Sequence, residues 1–100
     1  MEITALQHEI GEWSEATFDD PGPAPKLHHL KAEVDELLAA PFDRIEYADC
    51  LILLLDAARK AGISGDELLE AAYHKLQVNK RRIWGEPDEN GVVQHIAVTA

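Results

Sequence analysis

The sequence has little of what marks several large functional classes. Its single cysteine, Cys50, excludes an internal disulfide, and no spacing typical of a zinc site is present. Nine lysines and arginines stand against nineteen acids, and the resulting formal charge of -10 disfavours nucleic-acid polymers and anionic membranes as partners. The longest uninterrupted apolar run, Cys50 to Leu55, is far shorter than the roughly 20 residues of a membrane-spanning helix.

Signals for export and for covalent catalysis are also missing. The N-terminus, Met1 to Thr4, has no basic region followed by an apolar core, so a cytoplasmic protein is expected. The chain has no glycine-rich phosphate loop and no Ser/His/Asp or Cys/His order of a covalent nucleophile. Because 100 residues suffice for about one hydrophobic core, we predict a single domain over residues 1–100.

What the sequence does contain is a series of apolar stripes with helical spacing. The first stripe predicts a helix over about residues 3–16, which is followed by a proline-rich loop at 17–26. The second predicts a helix over about 26–39. The third, over about 43–61, is apolar around almost the whole helix, which predicts that this helix is buried in the centre of the fold.

A fourth helix is predicted to begin near residue 65, because Ser64 and Glu67 have the spacing of a capping box. The helical core should then cover about residues 3–84. The tail, 86–100, contains an Asn-Gly turn signal and a short segment that is either a strand or irregular. The predicted fold class is therefore all-α, a small four-helix bundle-like fold with a short irregular or β-like C-terminal tail.

Two acidic doublets are the most informative motif, Glu33-x-x-Glu36 on the second helix and Glu46-x-x-Asp49 on the third. Residues three apart lie on one face of a helix, so each doublet presents two carboxylates to the same point. Oxygen ligands of this kind suit a hard divalent cation such as Mg2+, with waters and substrate phosphates completing its shell. The alternative is a pair of solvated helix faces, and Asp43 with Glu46 also fits a capping box.

Several neighbouring residues have two interpretations each. Asp56 shares the stripe of Glu46 and Asp49 and is either a further ligand or half of an internal ion pair with a lysine or arginine. His29 is either a second-shell residue or an ordinary helix-start residue. The two tryptophans, Trp13 and Trp84, either stack on a nucleobase or fill the core.

The fourth helix carries a complementary polar stripe. Lys75, Asn79 and Arg82 are spaced by four and three residues and so share one helix face. Lysine and arginine bind phosphate oxygens by charge and forked hydrogen bonds, and asparagine binds them through its amide. The alternative is a basic last turn favoured by the helix dipole. Together with the acidic doublets, this stripe favours a metal-triphosphate site.

In these residues the chain resembles the all-α nucleoside triphosphate pyrophosphohydrolases of the MazG type, and within them the small single-domain dATP/dGTP diphosphohydrolase subgroup. The resemblance covers about residues 5–95. The motifs that carry it are Trp13, Thr17-Phe18, His29-Leu30-x-x-Glu33-x-x-Glu36-Leu37, Glu46-x-x-Asp49 and Lys75-x-x-x-Asn79-x-x-Arg82-x-Trp84.

The resemblance implies a function. It implies that Glu33, Glu36, Glu46 and Asp49 hold Mg2+, for which Mn2+ can substitute, and that water attacks the α-phosphorus of a nucleoside triphosphate. The products are the monophosphate and pyrophosphate. Deoxynucleotides with purine bases are the expected substrates, and Glu33 or Glu36 is expected to orient or deprotonate the water. A homodimer or homotetramer is implied as well.

One position departs from the family pattern. Many relatives have a further glutamate directly before the first doublet, where this chain has Ala32. The number of bound metal ions is therefore left open. Two alternatives to the enzyme are a non-catalytic regulator that binds a nucleotide or protein on the same helical scaffold, and a helical adaptor without a ligand.

Overall fold

The computed structural model describes residues 1–98, which form four α-helices and two short strands. They divide into two compact units, Met1–Leu68 and a second one from Leu69 onward. In chain order the elements are α1 (Ile3–Thr17), α2 (Ala24–Ala39), α3 (Arg44–Lys60), α4 (Gly65–Lys80), β1 (Arg82–Trp84) and β2 (His95–Val98). The predicted all-α class with a short β-like tail is confirmed. No helix in this part of the chain has the length and apolar character needed to cross a bilayer.

The helix starts follow from local side-chain chemistry. Helix α2 begins two residues earlier than predicted, because Pro25 falls in its first turn, where a missing N–H leaves no hydrogen bond unmade. The Asp43 carboxylate caps α3 by accepting from the Ile45 N–H at 2.9 Å. At α4 the predicted capping box is confirmed, since the Ser64 and Glu67 side chains each accept the other's backbone N–H at 3.1 Å.

The first unit is held together around α3, which packs against α1 and α2. One buried polar side chain ties its elements together. The Gln7 amide on α1 donates to the carbonyls of Leu55 and Ile63, both at 3.0 Å, and accepts from the Gly65 N–H at 2.9 Å. The end of α3 and the start of α4 are thereby fixed to α1. The buried apolar core consists of Ile10, Leu53, Leu55, Ala57 and Ala58.

The prediction that α3 is buried on all sides is wrong. Leu51 and Leu54 are 43% and 40% exposed, and Ile45 is 63% exposed. Because α1 and α2 cover only part of its circumference, a stripe of large apolar side chains on α3 remains open to solvent.

The prediction that the fourth helix extends to Trp84 is also wrong. Helix α4 ends at Lys80, and β1 pairs with β2 in antiparallel register, with Ile83 opposite Ala97. Ile83 and Trp84 have high β propensity, and the Trp84 indole N–H donates to the Asn79 carbonyl at 3.0 Å, which satisfies a C-terminal helix carbonyl.

The predicted turn between the strands is confirmed. Asp88 Oδ1 accepts the backbone N–H groups of Asn90 and Val92 at 2.8 and 2.9 Å, and Gly91 takes a positive φ of 80°. The last two residues of the predicted tail, 99–100, lie outside the described residues.

Candidate functional site

Three of the four doublet carboxylates come together on two helices. Glu33 on α2 and Glu46 and Asp49 on α3 each offer an oxygen within 4.8 Å of the others. The short connection at 40–43 makes α2 and α3 neighbours, so the two doublets meet as their spacing predicted. We call these three residues the carboxylate cluster. Their side chains are half-buried.

The charges of the carboxylate cluster are poorly compensated. Glu33 Oε2 and Glu46 Oε2 are buried without a hydrogen-bond partner among the described residues. The hydrogen-bonded contact with Glu36 raises the pKa of Glu33, and burial and the charges of Glu36 and Asp49 raise it further. Burial first, then the neighbouring carboxylates, raises the pKa of Glu46. Half-buried acids that raise one another's pKa values are costly to hold ionised together, and a divalent cation is the ligand that fits such an oxygen set.

Glu36 lies beside the carboxylate cluster rather than within it. Its carboxylate is exposed and acts on both Glu33 and Glu46, as their raised pKa values indicate. Its predicted role as a ligand stays a prediction.

Two further residues adjoin the cluster. His29 Nε2 lies 3.2 Å from Glu33 Oε1, one helical turn away on α2, and its predicted role in supporting a metal ligand stays a prediction. Cys50, next to Asp49, is partly buried, and burial followed by the surrounding carboxylates raises the pKa of its thiol. The thiol therefore stays neutral near pH 7 and is unsuited to act as a nucleophile.

A cavity of about 230 Å³ opens beside the carboxylate cluster. Trp13 is 56% exposed, so it faces this cavity instead of filling the core, and it meets Phe18 edge to face with ring centres 5.3 Å apart. The wall thus combines aromatic surface, suited to a planar ring, with carboxylates. The lining residues are Trp13, Phe18, Lys26, His29, Glu33, Asp49, Ile52 and Leu53.

Asp56, which the sequence left as a ligand or an ion-pair residue, forms internal polar contacts. Its side chain is 2% exposed, accepts from Ser14 Oγ at 2.7 Å and pairs with Arg59 Nε at 2.8 Å. Arg59 fits here because Gly11 has no side chain, since a Cβ at that position would lie 2.6 Å from Arg59 Cδ. Asp56 is thus already neutralised by α1 and α3 side chains and is not part of the carboxylate cluster.

The predicted phosphate-binding residues lie in the second unit. Arg82 Nη1 donates to Asn79 Oδ1 at 3.2 Å, and Lys75 is exposed on α4. Trp84 packs edge to face on His95 with ring centres 6.0 Å apart. The roles of these residues toward phosphate and base remain predictions.

Sequence reasoning missed Lys26, a cavity residue that is only 5% exposed. The signal available was its spacing with His29 and Glu33, at three and seven residues along one face of α2. Ser14, the hydroxyl partner of Asp56, gave no comparable signal, because a single serine on an amphipathic helix has no diagnostic pattern.

Comparison with known proteins agrees with this geometry. A family model described as dATP/dGTP pyrophosphohydrolase matches residues 6–100. The Eaa protein of Salmonella phage P22 is 43% identical over 91 residues, or 91% of this chain. Proteins named dATP/dGTP diphosphohydrolase, from Salmonella phage PMBT28 and cyanophage S-2L, are 38% and 36% identical, each over 94% of this chain. The chain spans only 29% and 31% of the first two relatives, and 88% of the third.

A solved structure is similar along the whole chain. The cyanophage S-2L MazG-like pyrophosphohydrolase, bound to dGDP and three catalytic Mn2+ ions per active site, has a TM-score of 0.82 and 34% sequence identity. The match covers 100% of this chain and 99% of that one, which confirms the predicted MazG-like fold. This chain belongs to the dATP/dGTP pyrophosphohydrolase family.

Proposed function

We propose that this chain hydrolyses purine deoxynucleoside triphosphates to the monophosphate and pyrophosphate in a reaction that depends on a divalent metal ion. The observation that carries the proposal is the carboxylate cluster, whose unsatisfied oxygens lie beside an aromatic-walled cavity. The family and the dGDP and Mn2+ bound by the structural neighbour support the same assignment.

Glu33, Glu46 and Asp49 are the residues that would hold the metal, with Glu36 as a further ligand. Mg2+ is the proposed physiological ion, and Mn2+ suits the same oxygens. When bound, such an ion would make a water more acidic and would offset the charge that develops on the phosphates. Because Ala32 stands where many relatives have a glutamate, the chain offers one carboxylate fewer for additional ions.

The proposed chemistry is an in-line displacement. The water oxygen forms a bond to the α-phosphorus, the bond from that phosphorus to the α,β-bridging oxygen breaks, and pyrophosphate leaves. Glu33 or Glu36 accepts the proton, a role that a carboxylate beside the attacking water can fill.

The remaining predicted residues complete the proposal. Trp13 is suited to stack on the base, because its ring is exposed in the cavity wall. Lys75, Asn79 and Arg82 are proposed to bind the phosphates of the leaving group, and Trp84 stays a candidate base contact.

Self-association in the cytoplasm is proposed as well. The solvent-exposed apolar stripe of α3, Tyr47 with Leu51 and Leu54 at spacings of four and three residues, supports a homodimer or homotetramer, because burial of such a stripe stabilises an assembly.

A nucleotide panel tests the function. Purified protein with Mg2+ or Mn2+ is expected to release pyrophosphate from dATP and dGTP, and the Asp49→Asn variant is expected to lose this activity while remaining folded. Asp35→Asn, an exposed change of the same kind on α2, is the matched control and should retain activity. Absence of release from every canonical and modified nucleotide, at high protein concentration, would contradict the proposal. Tight nucleotide binding without turnover would favour the regulator instead.

A further inference from the structure

Lys26 is a buried cation in the wall of the cavity. It lies in the first turn of α2, and its side chain is 6% exposed. Its ammonium nitrogen is 3.1 Å from Asp20 Oδ2, 4.0 Å from Asp56 Oδ2 and 3.6 Å from the centre of the Phe18 ring. The ammonium is therefore held between two carboxylates and an aromatic face.

These neighbours do not satisfy the hydrogen-bonding capacity of Lys26. An ammonium has three N–H donors. Asp20 Oδ2 is close, yet it is without a hydrogen-bond partner among the described residues, so this contact is an ion pair only. Asp56 Oδ2, at 4.0 Å, is beyond hydrogen-bond distance and already accepts from Ser14. A group with three donors can take a further acceptor, and the cavity, whose wall includes Lys26, is the place from which one can approach.

The position of Lys26 relative to the carboxylate cluster indicates which part of a bound nucleotide supplies that acceptor. Lys26 precedes Glu33 by seven residues on α2, and Asp56 follows Asp49 by seven on α3, which is about 10 Å along each helix. Lys26 faces Asp56, whereas Glu33 faces Asp49. The groove between α2 and α3 thus has the carboxylate cluster at one end and the N–H donors of Lys26 at the other, beside the aromatic pair Trp13 and Phe18.

We propose that Lys26 is a base-recognition residue that donates a hydrogen bond to O6 of guanine and favours dGTP over dATP; this inference rests on the proposed function. A nucleotide whose phosphates lie at the carboxylate cluster directs its base toward the other end of the groove. Guanine presents O6 and N7 there as acceptors, whereas adenine presents an amino donor in place of O6. If the Lys26 ammonium faces that amino group, neither of the two donors has a hydrogen-bond acceptor.

The variant Lys26→Met tests the assignment, because methionine keeps an unbranched apolar stem against Phe18 and removes the N–H donors. We expect the KM for dGTP to rise roughly 10-fold, the magnitude of one lost base contact, with kcat within about twofold of wild type. The KM for dATP should not rise, because the variant removes a donor that opposes the adenine amino group, and the inhibition constant of inorganic tripolyphosphate, which has no base, should stay unchanged. Lys31→Met, an exposed lysine on the same helix, is the matched control.

A second measurement needs no variant and so does not depend on how Lys26→Met folds. The deoxynucleoside triphosphate of 2-aminopurine lacks O6, and wild-type protein should bind it roughly 10-fold more weakly than dGTP. Equal KM values for these two nucleotides would overturn the proposal. So would an equal rise for tripolyphosphate and dGTP in Lys26→Met, which would place the ammonium on a phosphate, or an equal loss for all ligands, which would make it a structural ion pair.

Failure of this inference is distinguishable from failure of the proposed function. Pyrophosphate release by wild-type protein supports the function whatever Lys26 does. If no nucleotide is hydrolysed, the function fails, and dissociation constants of dGTP, dATP and the 2-aminopurine nucleotide then decide the role of Lys26 alone.

Discussion

Asp49 and Asp56 lie on the same stripe of α3, seven residues apart, and their surroundings are opposite. Asp56 is 2% exposed and is met by a serine hydroxyl and an arginine. Asp49 is half-buried among other carboxylates, and its charge raises the pKa values of its neighbours Glu33 and Glu46. The difference separates a carboxylate that stabilises the folded chain from one that repels its neighbours until a cation binds.

The contrast shows that α3 carries two aspartates with different roles. The contacts of Asp56 join α1 to α3, while Asp49 leaves its charge available in the wall of the cavity. Local violations of the rule that buried charges are paired occur at functional sites, and the carboxylate cluster is such a violation.

The largest expected effect is on stability. Asp56→Ala should lower the free energy of unfolding by about 3–5 kcal/mol, because it removes the fully buried carboxylate that Ser14 and Arg59 contact and leaves the buried ammonium of Lys26 with Asp20 alone. Urea denaturation followed by circular dichroism measures this. Asp49→Ala, assayed without metal as the control, should destabilise the protein far less, and equal losses from both variants would remove the contrast between the two aspartates.

The second effect is on metal binding, for which the change at Asp49 should matter more than the change at Asp56. Asp49→Asn should weaken Mn2+ binding at least about 10-fold, because it removes a charged oxygen ligand, and Asp56→Asn should leave the affinity within about threefold. Isothermal titration of both variants with Mn2+ provides the comparison. A similar loss in Asp56→Asn would mean that its contacts shape the carboxylate cluster.

The third effect depends on pH and on metal. Glu33 and Glu46 have folded-state pKa values above their ordinary value of 4.5, so the metal-free folded protein binds more protons than the unfolded chain. Their stabilising contribution is therefore fully present below pH 4.5 and is lost as pH rises through the folded pKa values. Metal-free Glu46→Gln should melt about a few degrees higher than wild type at pH 7.5, with a smaller difference at pH 5.

Saturating Mn2+ should invert this result. Ligands stabilise the state that binds them, so wild-type protein should then melt above Glu46→Gln at pH 7.5. Thermal scans with and without Mn2+ decide the matter, and a variant that is less stable under both conditions would show that Glu46 stabilises the fold directly.

The smallest effect concerns His29. Glu36 raises the pKa of Glu33 most strongly, while the contact with His29 opposes this rise. Because the His29 side chain is 54% exposed, its loss in His29→Ala should weaken Mn2+ binding only about two- to fivefold at pH 7. His28→Ala, an exposed neighbour, is the control, and an unchanged affinity in His29→Ala would show that the contact contributes nothing to the cluster.

The sequence predicts the carboxylate cluster well because its signal is local. A spacing of three residues fixes each doublet to one helix face, and the short connection between α2 and α3 brings Glu33 to Glu46 and Asp49. The end of α4 was predicted wrongly because the local spacing is misleading there. Ile83 and Trp84 continue the helical period, and only the pairing with a strand more than ten residues later selects the extended form.

Features that depend on the fold of distant segments were not accessible. Lys26 sits at a helix start, where a lysine is ordinarily solvated, and its burial requires Phe18, Asp20 and Asp56 to close around it. The exposure of Leu51 and Leu54 likewise depends on how much of α3 the other helices cover, which no periodicity specifies.

Gly11 lies where α1 and α3 pack closely against each other. In an ordinary helix interior, Gly→Ala raises stability by about 1 kcal/mol, so this glycine would be an obvious choice for stabilising α1. Here the volume that an alanine methyl needs is filled by Arg59 Cδ and Nε, at 2.6 and 2.7 Å. Any stabilisation of α1 by Gly11→Ala is therefore limited, because Arg59 on α3, the ion-pair partner of Asp56, occupies the space that the methyl group needs.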